Sequence, residues 1–173
     1  AFLEDYSYFN NREIKKGTAQ PWNVSKQYNQ IAATDRLNKI HKDLQTTSFL
    51  IIKNDSILHE SYFDIGSKIS KTNSFSVAKS IVTSALGKAI DLKMIPSLDA
   101  KVMDYLPELT GSFAKELTVG DLASMASGLH WDENYYGPSS VTTQAYFKSD
   151  LRKLMFSLPI DKKPGQQFIY QSG

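Results

Sequence analysis

The 173 residues are 41% hydrophobic and 22% charged, which is enough apolar material for a globular domain with a core. A net charge of +2, without a long run of Lys or Arg, does not indicate nucleic-acid binding. The absence of cysteine excludes thiol catalysis, disulfides and cysteine-ligated metals. The three histidines are too widely spaced for a metal motif, so we expect no metal and no cofactor.

The N-terminal stretch, residues 1–33, has little hydrophobic periodicity and predicts an irregular arm. A helix is predicted from Thr34, as N-cap, to about Leu44, with Leu37, Ile40 and Leu44 facing inward. We therefore treat residues 1–46 as an N-terminal arm followed by a first helix.

A β-hairpin is predicted next. Residues 47–53 form an apolar run typical of a buried strand, and residues 56–63 return as its partner. Asn54 and Asp55 supply a two-residue turn between them. This hairpin opens the second predicted region, residues 47–173.

The central helix of that region carries apolar residues in adjacent pairs every four positions from Val77 to Ile90, which predicts a broad buried face. Ser76 stands at the start of this helix, and Lys79 follows one turn later on the same side. A serine hydroxyl becomes a good nucleophile when a neighbouring base takes its proton, and a lysine amine can do so in its neutral form. The helix N-terminus would also stabilise a developing oxyanion.

A structural alternative exists for this pair, because Ser76 could be a simple N-cap with Lys79 in solvent. The same Ser-x-x-Lys spacing recurs at Ser112 and Lys115, without a long apolar segment behind it. The spacing alone therefore does not identify a catalytic pair.

Beyond the central helix, Thr118 and Asp121 predict a capping box that opens a short helix ending at Ser127. Residues 129–149 are predicted to be loop-like, and Ser149 is predicted to cap a last helix. The loop is rich in aromatic residues that either line a substrate cleft or pack on the surface. They are Trp131, Tyr135, Tyr136, Tyr146 and Phe147. From this group we select Tyr136 as a candidate substrate-binding residue.

Several stretches, in this order, resemble the serine β-lactamase and penicillin-binding family, in its class C-like and esterase-like branch. The hairpin looks like the first two sheet strands, and Ser76 to Lys79 looks like the nucleophile motif. Tyr170-Gln171-Ser172, after Pro164-Gly165, looks like the second catalytic motif, which is usually Tyr-x-Asn. Together the matching stretches cover residues 47–173.

The resemblance implies an α/β fold of the α+β type, with an antiparallel sheet, flanking helices and a helical region. It also implies a serine hydrolase that acts on an ester or amide, such as a peptide or a β-lactam, through a Ser76 acyl-enzyme. Lys79 and Tyr170 would transfer protons, and Ser172 would contact the substrate. Ser172 in place of Asn weakens the case for a dedicated β-lactamase, because Ser has one hydroxyl where Asn has an amide donor and an acceptor. The pattern is closer to carboxylesterases and 6-aminohexanoate-oligomer hydrolases.

The family's third motif, of the Lys-Thr-Gly or His-x-Gly type, is not found in this sequence. We therefore expect the fold to be incomplete in this chain, with the C-terminal remainder of the same domain as its partner and as a requirement for activity. The other expected partner is a small-molecule or peptide-like substrate. Family resemblance alone predicts export to the periplasm or cell envelope, and no stretch is long enough to span a membrane.

The alternative function is a non-catalytic member of the fold that binds a peptide-like or cell-wall ligand, or a protein. The joint presence of Ser76, Lys79 and Tyr170 favours the enzyme, because a binding protein has no chemical need for all three.

Overall fold

The computed structural model describes residues 2–9 and 11–173, and the chain forms two compact units. The first unit extends to Ser74, and the second runs from Phe75 to Gly173. The division predicted from the sequence, at residues 46 and 47, stays a prediction.

In its described residues, the first unit combines a small sheet with one α-helix and one 3-10 helix. Its elements are a 3-10 helix (Leu3–Ser7), β1 (Asn23–Val24), α1 (Asp35–Asp43), β2 (Ser48–Lys53) and β3 (Ser56–Tyr62). The strand order is β1-β3-β2, with β2 antiparallel and β1 parallel to β3. The prediction of an irregular arm was wrong for Leu3–Ser7 and for Asn23–Val24, because elements of five and two residues are too short to show a recognisable hydrophobic period.

The local signals of the first unit are confirmed. The Thr34 side chain accepts a hydrogen bond from the Leu37 N–H at 3.3 Å and caps α1. Asn54 and Asp55 have φ values of 49° and 56°, which is the left-handed conformation that a type I′ hairpin turn requires at both central residues.

The burial predicted for this unit was wrong in part. Leu37 is half-buried, but Ile40 and Leu44 are exposed, as are three apolar residues of β2, namely Leu50, Ile51 and Ile52. The buried residue of α1 is instead His41, whose ring lies 4.7 Å from that of Phe49 and 4.9 Å from that of Phe63. Periodicity identifies which residues share a face, but it does not say which part of that face is covered.

A carboxylate joins three segments of the first unit. Glu60, on β3, accepts a hydrogen bond from the Tyr28 hydroxyl at 2.9 Å and another from the Tyr62 hydroxyl, and it pairs with Lys68 at 3.1 Å. The bond from Tyr62 is the main cause that lowers the pKa of Glu60, and it raises the pKa of Tyr62 to about 12. The ionised carboxylate therefore holds the segment around Tyr28 against the edge of β3.

The second unit contains four α-helices and a 3-10 turn. They are α2 (Val77–Asp91), the 3-10 turn (Val102–Asp104), α3 (Val119–Ala123), α4 (Val141–Phe147) and α5 (Leu151–Phe156). Its core consists of buried residues from the segments after α2, namely Val102, Ala114, Leu117, Val119, Leu129, Leu158 and Ile160. Bridges between Lys101 and Thr118, and between Leu129 and Ile160, tie these segments together.

The helix boundaries differ from the predictions at three places. The capping box of Thr118 and Asp121 is confirmed, but α3 ends at Ala123 rather than Ser127. The N-cap of α5 is Asp150, whose side chain accepts from the Lys153 N–H, and not Ser149. α4 lies in the stretch predicted as loop, because its Thr and aromatic residues have low helix propensity.

The broad buried face predicted for α2 was also wrong. No residue of α2 is fully buried, and Val77, Ile81 and Val82 are 65%, 65% and 67% exposed. α2 therefore forms where the hydrophobic period predicted a helix, but much of its apolar surface is exposed.

Candidate active site

Ser76 immediately precedes α2, and its hydroxyl has no capping role. The side chain makes no N-cap hydrogen bond. Its Oγ instead lies 3.3 Å from Lys79 Nζ and 2.5 Å from the Tyr170 hydroxyl oxygen. The residue before it, Phe75, has φ 44°, a left-handed conformation that is strained for a bulky side chain and is often kept at functional sites.

The pKa of Tyr170 is lowered from its ordinary value. The largest cause is the hydrogen bond with Ser76, because a serine that donates to the phenolate stabilises the ionised form. Lys79 acts in the same direction through a hydrogen bond and its positive charge, while partial burial and the charge of Glu133 oppose the change. Lys79 Nζ also lies 5.2 Å from the centre of the Tyr170 ring. At a given pH, a larger fraction of Tyr170 is therefore in the phenolate form, which can accept a proton, than of a solvated tyrosine.

The segment that carries Tyr170 is fixed by its neighbours in sequence. Gln171 is buried, accepts a hydrogen bond from the Ser127 hydroxyl at 3.2 Å and donates one to the Leu129 carbonyl at 3.0 Å. The Ile169 N–H donates to the Met125 carbonyl at 2.8 Å. With Gln171 turned inward, the residues on either side of it are exposed together.

Glu133 lies next to this segment and accepts four hydrogen bonds. The donors are the Trp131 indole at 2.6 Å, the Tyr135 hydroxyl at 2.5 Å, and the backbone N–H and hydroxyl of Ser172 at 2.8 and 2.6 Å. Partial burial pushes the pKa of Glu133 up, but the four hydrogen bonds outweigh it, so the pKa is lowered. Glu133 is therefore ionised at neutral pH.

The Trp131 ring also packs on the end of the motif. A Cβ added to Gly173 would lie 2.4 Å from a carbon of that ring, so the ring occupies the space that any larger side chain needs. Trp131 packs closely against Gly173, and Glu133 holds Ser172 through two hydrogen bonds.

The structure brings two of the predicted site residues, Lys79 and Tyr170, within hydrogen-bond distance of a third, Ser76. Ser172 lies instead against Glu133. Tyr136 has its side chain 97% exposed, and its neighbour Tyr135 is the aromatic residue that approaches Ser172, at 3.3 Å. The roles of all five remain predictions.

Sequence reasoning missed two residues of this region, Glu133 and Gln171. A partial signal existed for Glu133, because two carboxylates, Asp132 and Glu133, lie between the hydrogen-bond donors Trp131 and Tyr135, but the sequence does not say which of them these donors reach. No local signal distinguishes Gln171, since its partners are 42 and 44 residues away. Within residues 2–9 and 11–173, no three His, Asp or Glu side chains converge on a metal position.

Comparison with known proteins places this geometry in context. A family model described as Beta-lactamase matches residues 36–173. A solved structure from Bacillus anthracis, described by name as a 6-aminohexanoate-dimer hydrolase, matches 87% of this chain with a TM-score of 0.58 and 16% identity. This chain covers 47% of that protein, or about half of its length. No curated protein sequence matches significantly. The fold expected from the motifs is confirmed by these matches.

Proposed function

This chain belongs to the Beta-lactamase family, and on that premise we propose that it acts on an ester or amide through a Ser76 acyl-enzyme. The observation that carries the proposal is the position of Ser76 Oγ, 2.5 Å from the Tyr170 hydroxyl and 3.3 Å from Lys79 Nζ. A nucleophile with a base and a cation at these distances is the arrangement that covalent acyl transfer requires.

In the proposed reaction, Ser76 gives its proton to the Tyr170 phenolate as its oxygen forms a bond to the substrate carbonyl carbon. Lys79, as an ammonium, stabilises the phenolate before this transfer. The phenol then returns the proton to the leaving oxygen or nitrogen as its bond to carbon breaks. In the second half, a water gives a proton to the phenolate as it attacks the ester carbonyl. The bond between the carbonyl carbon and Ser76 Oγ then breaks, and the Tyr170 phenol returns the proton to Oγ.

We also propose that the C-terminal remainder of the domain packs against α2 and is needed for efficient turnover. Three observations support this: the open apolar surface of Val77, Ile81 and Val82, the missing third motif, and the coverage of 47% of the Bacillus anthracis protein. That remainder would supply a second oxyanion N–H and cover apolar area now in water.

Export to the periplasm or cell envelope stays a proposal from family resemblance. Within the described residues, none of the helices has both the length and the apolar character to cross a membrane.

The test is intact-mass spectrometry of the full-length protein after exposure to a penicillin or to an activated acyl ester. We expect one acyl group per molecule, mapped by peptide digestion to Ser76 and absent in Ser76→Ala. The matched control is Ser112→Ala, which removes the serine of the other Ser-x-x-Lys sequence and should label like the wild type. Labelling that survives Ser76→Ala would refute the nucleophile assignment. A folded protein that binds these reagents without acylation would favour the alternative, a ligand-binding member of the family.

A further inference from the structure

The direction of the Ser172 hydroxyl hydrogen is set by Glu133. The Ser172 N–H donates to Glu133 Oε2 at 2.8 Å, and the hydroxyl donates to Oε1 at 2.6 Å. This two-point attachment fixes both the backbone and the side chain of Ser172 against one carboxylate. A hydroxyl that donates to an ionised oxygen makes a shorter and stronger bond than one between neutral groups.

Glu133 has no acceptor position left for a substrate. A carboxylate has about four lone-pair sites, and these four are filled by Trp131, Tyr135 and the two groups of Ser172. A ligand would have to break one of these bonds to reach the carboxylate, so Glu133 acts on a substrate through Ser172.

Tyr135 does not change the direction of the hydrogen bond from the Ser172 hydroxyl to Glu133. Its hydroxyl lies 3.3 Å from Ser172 Oγ but only 2.5 Å from Glu133 Oε1, so its single hydrogen is directed to the carboxylate. The Ser172 oxygen is left with acceptor lone pairs and no free hydrogen. It can accept a hydrogen bond from a ligand, and it cannot donate one to a ligand carbonyl.

Ser172 is also placed where a substrate held at Ser76 can reach it. Gln171 is turned inward, so Tyr170 and Ser172 are exposed on either side of it. In extended backbone, residues two apart are separated by about 6.6 Å, which is the distance across a few bonds of an acyl chain. Because Tyr170 contacts Ser76 directly, a substrate group a few bonds from a carbonyl held at Ser76 would come within reach of the Ser172 oxygen.

Resting on the proposed function, we infer that the Ser172 oxygen accepts a hydrogen bond from an N–H group near the scissile carbonyl, so that the site prefers amide-bearing acyl substrates. Glu133 is the positioning residue that makes Ser172 an acceptor. A group that offers only oxygen at the same position would face the Ser172 lone pairs and lose this contact.

The experiment compares two activated esters that differ in one atom group. p-Nitrophenyl N-acetylglycinate carries an N–H beside the reacting acyl group, and p-nitrophenyl acetoxyacetate carries an oxygen there. Full-length protein is assayed with both, and the Ser76→Ala rate is subtracted to remove spontaneous cyclisation and hydrolysis. We expect the wild type to prefer the N–H ester in kcat/KM by about twofold to tenfold, the range that one hydrogen bond gives.

The ratio of the two rates does not depend on how much of a variant is folded, so it remains readable in a destabilised protein. Ser172→Ala should bring the ratio near one. Glu133→Gln should also reduce it, because the new amide can donate to Ser172 and release its hydrogen toward the ligand. Ser112→Ala, outside the site, should keep the wild-type ratio.

The failures of the two proposals are distinguishable. Turnover that depends on Ser76 but is equal for the two esters, or a preference that survives Ser172→Ala, would overturn the acceptor role of Ser172. A ratio unchanged by Glu133→Gln would overturn the positioning role of Glu133. Absence of any Ser76-dependent turnover would overturn the proposed function and this inference with it.

Discussion

Replacing Tyr170 by Phe removes one oxygen atom and retains the ring next to Lys79. The lost atom is the closest proton acceptor to Ser76 Oγ, at 2.5 Å. A positioned acid-base group contributes about 10²- to 10⁴-fold to rate. Since each tenfold change equals about 1.36 kcal/mol, the barrier should rise by about 2.7 to 5.4 kcal/mol. We expect Tyr170→Phe near the lower limit, because Lys79 Nζ remains 3.3 Å from the nucleophile and can replace part of the function.

The assay is stopped-flow acylation by p-nitrophenyl acetate in the full-length protein, since its leaving group departs as an anion and requires no proton. The pKa of Tyr170 is lowered by its hydrogen bonds with Ser76 and Lys79, so the wild-type rate should rise with pH as Tyr170 ionises, with a midpoint below the ordinary value of 10.0. Tyr170→Phe should lack this rise, and Lys79→Ala should move it to higher pH because a positive charge is lost.

Two results would refute this reasoning. A Tyr170→Phe protein whose kcat/KM lies within about threefold of the wild type would show that the phenol is not the base. A rise with pH that persists in Tyr170→Phe would assign the titration to another group.

Two further predictions concern stability. The pKa of Glu60 is lowered, chiefly by Tyr62, so its ionised form stabilises the fold above its ordinary value of 4.5, and this contribution disappears as pH falls through the folded pKa. Glu60→Gln should therefore lower the thermal midpoint at pH 7, and the difference from the wild type should shrink as the pH is lowered below 4.5. The exposed control Glu13→Gln should leave the thermal midpoint unchanged. Gln171→Ala removes the hydrogen-bond partner that Gln171 gives to the Ser127 hydroxyl and to the Leu129 carbonyl. The free energy of unfolding, measured with urea, should therefore fall by about 1 to 3 kcal/mol. An unchanged urea midpoint would contradict the bridging role of Gln171.

Signals confined to a few residues were predicted correctly from the sequence. The caps at Thr34 and Thr118 and the turn at Asn54 and Asp55 each depend on contacts between residues at most three positions apart. The Ser76–Lys79 spacing belongs to the same class, because one helical turn places both side chains on one face.

Features that depend on distant partners could not be predicted in this way. Tyr170 lies 94 residues from Ser76, and only the family resemblance connected the two. Glu133 is 39 residues from Ser172, so the two hydrogen bonds from Ser172 are formed only in the folded chain. The exposure of the apolar residues of α2 has the same origin, since periodicity defines a face while other segments decide whether it is covered.

The two Ser-x-x-Lys sequences show what separates a motif from a site. At Ser112 the chain forms consecutive turns, with Phe113 N–H bonded to the Ile160 carbonyl and Ala114 buried in the core. The segment at Ser112 therefore packs against the core, and its backbone is held there by this packing. At Ser76 the same spacing precedes a long helix, and the decisive difference is a third group, the Tyr170 hydroxyl, held at 2.5 Å by a segment anchored through Gln171. Reactivity in this fold is therefore a property of the distant segment as much as of the motif, which is why the buried Gln171 should influence acylation without touching the substrate.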